Sequence, residues 1–147
     1  MSMGGSKFLF PIICLLFALA PNAQPAMAAK IVAKVDISQQ RMEIYVNGLK
    51  RHVWRVSTGR RGYRTPTGRY RPGRMYRRYF SRKYYRSPMP HSVFFKGGYA
   101  IHGTNYVKRL GRRASHGCVR LHRRHAAELY RLINRYGKRN TRIVITR

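Results

Sequence analysis

Apolar and polar side chains alternate over one stretch of this chain in a way that leaves little choice of fold class. Ile31, Ala33, Val35 and Ile37 take every second position, with Val32, Lys34 and Asp36 between them. A period of two puts successive side chains on opposite faces of an extended backbone, so the segment is predicted as a half-buried β-strand. Residues 42–46 and 49–56 read the same way and flank Asn47-Gly48. That dipeptide tolerates the left-handed backbone of a two-residue turn, which joins the two runs as a hairpin.

The strand pattern continues downstream. Ser57-Thr58-Gly59 leads through a loop to Thr65-Pro66-Thr67-Gly68 and a short strand through Tyr70. Residues 91–95 and 99–102 form a second hairpin about Gly97-Gly98, and residues 142–146 form a closing strand. Helical spacing occurs once, in Ala126, Leu129, Leu132, Ile133 and Tyr136, with Gly137 placed to stop the helix. One helix among many strands predicts a mainly β domain. Residues 60–86 break the pattern, with 11 Arg or Lys and 6 Tyr in 27 positions and almost no aliphatic side chain. Such a segment builds no core of its own, and residues 60–90 are expected to form a flap over a site.

The first 28 residues are read as a secretory signal peptide rather than as part of the domain. Lys7 precedes an apolar run from Phe8 to Ala20, and Ala26 and Ala28 stand at the −3 and −1 places of a cut after Ala28. The expected domain is then residues 29–147, a length suited to one hydrophobic core. Losing Lys7 lowers the formal charge by one from the +29 of the full chain. So basic a domain attracts polyanions. Export excludes nucleic acid as the expected partner and leaves anionic surfaces of the periplasm or cell envelope, or wall peptides bearing carboxylates. Of the two cysteines, Cys14 leaves with the signal, so Cys118 stands alone in an oxidising compartment where no internal disulfide can use it.

The neighbours of Cys118 carry chemistry. Ile101-His102-Gly103-Thr104 is followed by ten residues and then Ser115-His116-Gly117-Cys118-Val119-Arg120-Leu121. A cysteine nucleophile needs a base, a group that orients the base, and donors for the developing oxyanion. A loop at Gly117-Cys118 would expose the sulfur and aim consecutive backbone N–H groups at one point. Arg120 and a helix beginning soon afterwards would favour the thiolate. His102 is the expected base, with His116 as its competitor. Asp36, Glu43 and Glu128 are the only acids, and none is near these motifs, so a backbone carbonyl is the cheaper orienter. The same scarcity excludes a carboxylate-pair glycosidase and a metal site built on acids. His122 and His125 could join His102 and Cys118 about zinc, but the spacing is not that of a zinc site. Trp54, Phe94 and Phe95 are read as core.

The ordered set resembles the catalytic domain of the L,D-transpeptidase (YkuD-type) family. The likeness extends upstream to Val56-Ser57-Thr58-Gly59, Thr65-Pro66-Thr67-Gly68, Met89-Pro90 and Phe94-Phe95-Lys96-Gly97-Gly98. It implies a β-sandwich of mixed sheets with one C-terminal helix, and no cofactor or metal. It implies Cys118 as nucleophile, His102 as base and the Gly103 carbonyl as the orienter of the ring. Backbone N–H groups around His116, Gly117 and Cys118 would form the oxyanion hole, with Ser115 and His116 shaping the loop. Arg120, where the family carries Arg or Asn, would hold a substrate carboxylate. The implied reaction is acyl transfer from a peptidoglycan tetrapeptide stem, between diamino acid three and D-residue four, to an amine on another stem or on an envelope protein. Hydrolysis at the same site, and a polyanion-binding envelope module, are the readings from other classes.

Overall fold

The computed structural model describes residue 1 and residues 29–147. The expected signal peptide therefore lies, Met1 aside, outside the described residues. Among the described residues, nine strands follow one another: β1 (Ile31–Asp36), β2 (Arg41–Val46), β3 (Leu49–Ser57), β4 (Gly68–Tyr70), β5 (Met75–Tyr76), β6 (Ser92–Lys96), β7 (Tyr99–Thr104), β8 (Val119–His122) and β9 (Thr141–Thr146). One α-helix, α1 (Arg123–Tyr136), lies between β8 and β9.

The strands run in the order β4-β9-β1-β2-β3-β8-β7-β6-β5. β1 pairs β9 in parallel and β7 pairs β8 in parallel, and the other neighbours are antiparallel. Two layers arise because β3 changes partners along its length. Residues 49–55 pair with β2, whereas Val56 and Ser57 pair with Leu121 and Arg120 of β8. The ends of the order, β4 and β5, are separated in the chain only by residues 71–74. Consecutive Cα atoms lie about 3.8 Å apart, so that link spans less than about 20 Å. A flat sheet of nine strands at about 4.8 Å spacing would hold its edges nearly twice as far apart. The sheet must therefore curl, and Tyr70 of β4 meets Phe95 of β6 across the seam with ring centroids 5.1 Å apart.

Inside the curl, Ile31, Val35, Met42, Ile44, Val56, Ile143 and Ile145 of one layer meet Val93, Ile101, Val119 and Leu121 of the other. Helix α1 packs across β7 and β8 and adds Ala126, Leu129, Leu132 and Ile133. The predicted stop is in place: Gly137 has φ +90° and its N–H bonds the carbonyl of Ile133. The Asn47-Gly48 turn is also as expected, with both residues at positive φ. Two expectations are revised. A strand, β8, stands between Cys118 and α1, so the helix N-terminus does not adjoin the sulfur. The basic segment supplies β5 in addition to the expected strand through Tyr70, and its Tyr70 and Met75 pack against the main core, as a wholly solvated flap would not.

The register of β7 on β8 decides what faces where. Ile101 pairs Val119, His102 pairs Arg120 and Gly103 pairs Leu121. Paired residues share a face and successive residues alternate. Ile101, Val119 and Leu121 enter the main core, which leaves His102 and Arg120, with Cys118 just ahead of β8, on the other face. There Ala100, Phe94 and Met89 form a second cluster against which Tyr79 and Cys118 pack.

The packing of α1 gives a direct test. Leu129 is fully buried and Leu49 is 59% exposed. Leu129→Ala should cost about 3 kcal/mol in urea unfolding, and Leu49→Ala less than about 0.5 kcal/mol. Similar losses at both sites would contradict the placement of the helix.

Candidate active site

Three backbone bonds and one serine shape the segment before Cys118. The N–H groups of Ala114 and Ser115 both donate to the carbonyl of Thr58 at 2.9 Å, and Arg60 N–H donates to the Ser115 carbonyl at 3.0 Å. Ser115, wholly buried, donates from Oγ to the Cys118 carbonyl at 2.6 Å and accepts the Gly117 N–H at 3.0 Å. This cross-brace forces Gly117 to φ +110°, where a Cβ would stand 2.6 Å from Cε1 of Tyr99. Glycine is the residue this place accepts. The Gly117 N–H, expected in an oxyanion hole, is thus committed to Ser115. Among the described residues, the N–H groups of His116 and Cys118 are the loop donors that remain free.

Behind Thr58 stands a residue to which sequence reasoning gave no role. Gln40, buried in the β1–β2 turn, accepts the Thr58 N–H at 2.9 Å and donates to Thr58 Oγ1. Its Nε2 also donates to the Ile37 carbonyl at 2.8 Å. A chain of hydrogen bonds therefore runs from Gln40 through Thr58 and Ser115 to Cys118. Its contacts join residues remote in sequence, and no local pattern announces them.

His102 is buried, and its Nδ1 donates to the carbonyl of Gly103 at 2.8 Å. That bond fixes the tautomer and leaves Nε2 with a lone pair. Burial pushes the imidazole pKa down to about 4, against the opposing effect of the Gly103 bond and with a further push from Arg120. Cys118 is half-buried, and its Sγ lies 4.0 Å from the carbonyl oxygen of Gly98. Burial raises the thiol pKa, outweighing an opposing bond from the Ala100 backbone and the charge of Arg120. The expected thiolate is therefore not the resting form: desolvation exceeds the attraction of Arg120, and the helix is too far along the chain to help. The pair rests as neutral thiol and neutral imidazole.

His102, Cys118, Ser115, His116 and Arg120 line a single cavity of about 450 Å³. Ser81, Tyr84, Tyr85, Pro88 and Met89 line it as well, so the later part of the basic segment borders the sulfur. His116 is held by that segment. Its ring stacks on Tyr84 at 4.3 Å, meets the edge of Tyr63 at 4.7 Å, and accepts at Nε2 from Nη2 of Arg60 at 3.0 Å. Burial and then Arg60 lower its pKa. The Nε2 of His116 is therefore engaged with Arg60, whereas that of His102 has no partner of this kind among the described residues.

Arg120 is half-buried with no carboxylate near it. Its guanidinium reaches the Ala114 carbonyl at 3.4 Å and lies 5.8 Å from the centre of the Tyr106 ring. His122 and His125, considered above as metal ligands, are engaged otherwise. His122 caps α1 by accepting the Arg124 N–H at 3.2 Å, and His125 stacks on Trp54 at 4.9 Å. Among the described residues, no three His, Cys, Asp or Glu side chains are grouped to hold a metal ion. Trp54, Phe94 and Phe95 are buried, as expected of core.

The family model described as the L,D-transpeptidase catalytic domain matches residues 30–145 of the chain. Among solved structures, an L,D-transpeptidase from Mycobacterium smegmatis aligns with TM-score 0.72 at 20% identity, covering 81% of this chain and 59% of that one. An L,D-transpeptidase from Mycobacterium tuberculosis H37Rv aligns with TM-score 0.72 at 24% identity, covering 80% and 58%. One from Stackebrandtia nassauensis aligns with TM-score 0.70 at 24% identity, covering 80% and 56%. At these identities the likeness is one of fold, and this chain spans less than two thirds of each of those proteins. No curated protein matches the chain.

A neutral resting pair has a measurable signature. Alkylation of Cys118 by iodoacetamide should keep accelerating through and above pH ~8.5, the ordinary thiol value. Thiolate ultraviolet absorbance should be missing at neutral pH. A rate already level from pH ~6 upward would mean a preformed thiolate–imidazolium pair and would contradict the resting state described.

Proposed function

From a chain that belongs to the L,D-transpeptidase catalytic domain family, we propose a peptidoglycan L,D-transpeptidase that acts through Cys118. The observation that carries this is the buried His102 beside Cys118 in one cavity, its Nδ1 tied to Gly103 and its Nε2 left to accept. Cys118 Sγ attacks the carbonyl of stem residue three while its proton passes to Nε2 of His102. The N–H groups of His116 and Cys118 stabilise the oxyanion, in the manner of preorganised backbone donors. As the tetrahedral centre collapses, the C–N bond to the D-residue breaks and the imidazolium protonates the departing amine. A thioester remains. An amine acceptor then attacks it, His102 takes the amine proton, and the C–S bond breaks to return the thiol. His102, with its pKa near 4, is fully unprotonated at neutral pH and so available at each turn. Arg120 offers the terminal carboxylate of the donor an uncompensated, half-buried cation.

The exported location, the lid and the surface partner belong to the same proposal. Residues 60–90 cover the donor groove and are clasped to His116 by Tyr84, Tyr63 and Arg60. Arg77, Arg78, Arg82 and Arg86 are exposed on this segment and hold the enzyme against an anionic envelope surface. Acceptors are a second stem or an envelope protein.

Two experiments address these statements. On a tetrapeptide stem, intact-mass spectrometry should detect a thioester adduct with wild type and none with Cys118→Ala. His102→Ala should slow acylation by a factor of about 10² or more, and His116→Ala by much less. Equal losses in two folded variants would move the base role away from His102. Water as the only acceptor, seen as trimmed and uncrosslinked fragments, would make the enzyme a carboxypeptidase. Binding to anionic vesicles should fall steeply as salt shortens the screening length to ~8 Å. Replacing Arg77, Arg78, Arg82 and Lys83 together by Gln should weaken that binding and spare turnover of the small stem. Normal vesicle binding by the quadruple variant would exclude the segment as the surface contact.

A further inference from the structure

The cavity at Cys118 is cationic and contains no counter-ion of its own. Arg60, Arg109 and Arg120 line it, and no acid does. The chain has three acids, and all are engaged elsewhere. Asp36 accepts from Ser38, Glu43 from Tyr45 and Lys50, and Glu128 from Arg131. The guanidinium groups also sense one another: burial opposes the charged form of Arg120, Cys118 and Tyr106 favour it, and Arg109 and Arg60 oppose it more weakly. A partly buried cation of this kind is completed by an anion that the ligand brings.

The three are not equivalent. Arg60 is turned to the ring of His116 at 3.0 Å and contributes field rather than a free fork. Arg109 closes the short 3-10 turn Val107–Arg109, which follows directly on Tyr106, the ring beneath Arg120. One short segment therefore carries both the support of the first cation and the second cation, exposed at the rim. Resting on the transpeptidase reading above, we infer that the cavity selects donor stems whose diamino acid carries a free side-chain carboxylate, which Arg109 binds while Arg120 takes the carboxylate of the terminal D-residue. A carboxamide in that place cannot substitute. It offers one neutral acceptor, and its NH₂ donors confront the donors of the guanidinium, whereas a carboxylate accepts two charge-assisted bonds from the same fork.

The test uses two synthetic tetrapeptides that differ only in carboxylate against carboxamide on the diamino acid. Acylation of Cys118 is followed by intact mass, and kcat and KM by exchange of the terminal D-residue. Wild type should favour the free acid by about tenfold in kcat/KM, the charge-assisted contact adding roughly 1.4 kcal/mol, with most of the difference in KM. Arg109→Gln should bring the ratio to within about twofold by raising KM for the free acid alone, and Arg109→Lys should keep part of the preference. Equal use of both stems by wild type, a preference for the carboxamide, or an unchanged ratio in Arg109→Gln would each overturn the inference. If neither stem acylated wild-type Cys118, the transpeptidase reading itself would fall and take this inference with it.

Discussion

The parallel pairing of β7 with β8 is the constraint on which the site depends. Opposing His102 to Arg120 and Ile101 to Val119 fixes two things together. It sends the branched side chains into the core beneath α1, and it turns the chemically active ones to the opposite face. A slip of one residue would exchange the two sets, burying Arg120 and exposing Leu121. The hydrophobic demand of the core therefore enforces the register that brings His102 and Arg120 together. Geometry of this kind needs no separate device; it follows from which positions are apolar.

The same burial sets the protonation states. An imidazole held neutral in the fold while the unfolded chain titrates at the ordinary histidine value of ~6.5 makes stability depend on pH. The folded value near 4 is the lower one. The contribution is therefore complete above pH ~6.5 and is lost progressively as pH falls toward 4, a window worth about 3 kcal/mol. Arg120 does not convert the pair into a standing ion pair, because the burial of the thiol outweighs the attraction of that charge.

Much of this was legible in the sequence, and what was not has a common cause. The first strands, the Asn47-Gly48 turn, the helix through Leu129 and its stop at Gly137 all rest on neighbours within a few residues, where periodicity and turn chemistry operate. Cys118 and His102 were singled out because their surroundings form a long ordered motif, and the fold brings both to one cavity. β8 was missed because four residues, Val119-Arg120-Leu121-His122, give too brief an alternation beside a glycine and a cysteine. The hold of Gln40 on Thr58, and that of Tyr84, Tyr63 and Arg60 on His116, are long-range meetings of side chains. The fate of the Gly117 N–H was hidden similarly, since only the folded loop brings it to Ser115 Oγ. The sign of the Cys118 shift depended on a degree of burial that composition does not report.

The two edges of the curled sheet carry a consequence for how copies of this molecule treat one another. Mainly β proteins risk templating a neighbour wherever a strand leaves its backbone groups unpaired, and a long, flat, apolar edge is the hazard. Here the outermost strands are β4, with three residues, and β5, with two. Both arise from the segment richest in arginine, and their own link draws them toward each other. So short a frontier offers too few N–H and C=O groups for a passing strand to zip onto, and every approaching copy bears the same large positive charge. Resistance to amyloid-like association is therefore built into the connectivity, and the exposed Arg69, Arg71 and Arg74 in and beside these strands act as its gatekeepers against aggregation.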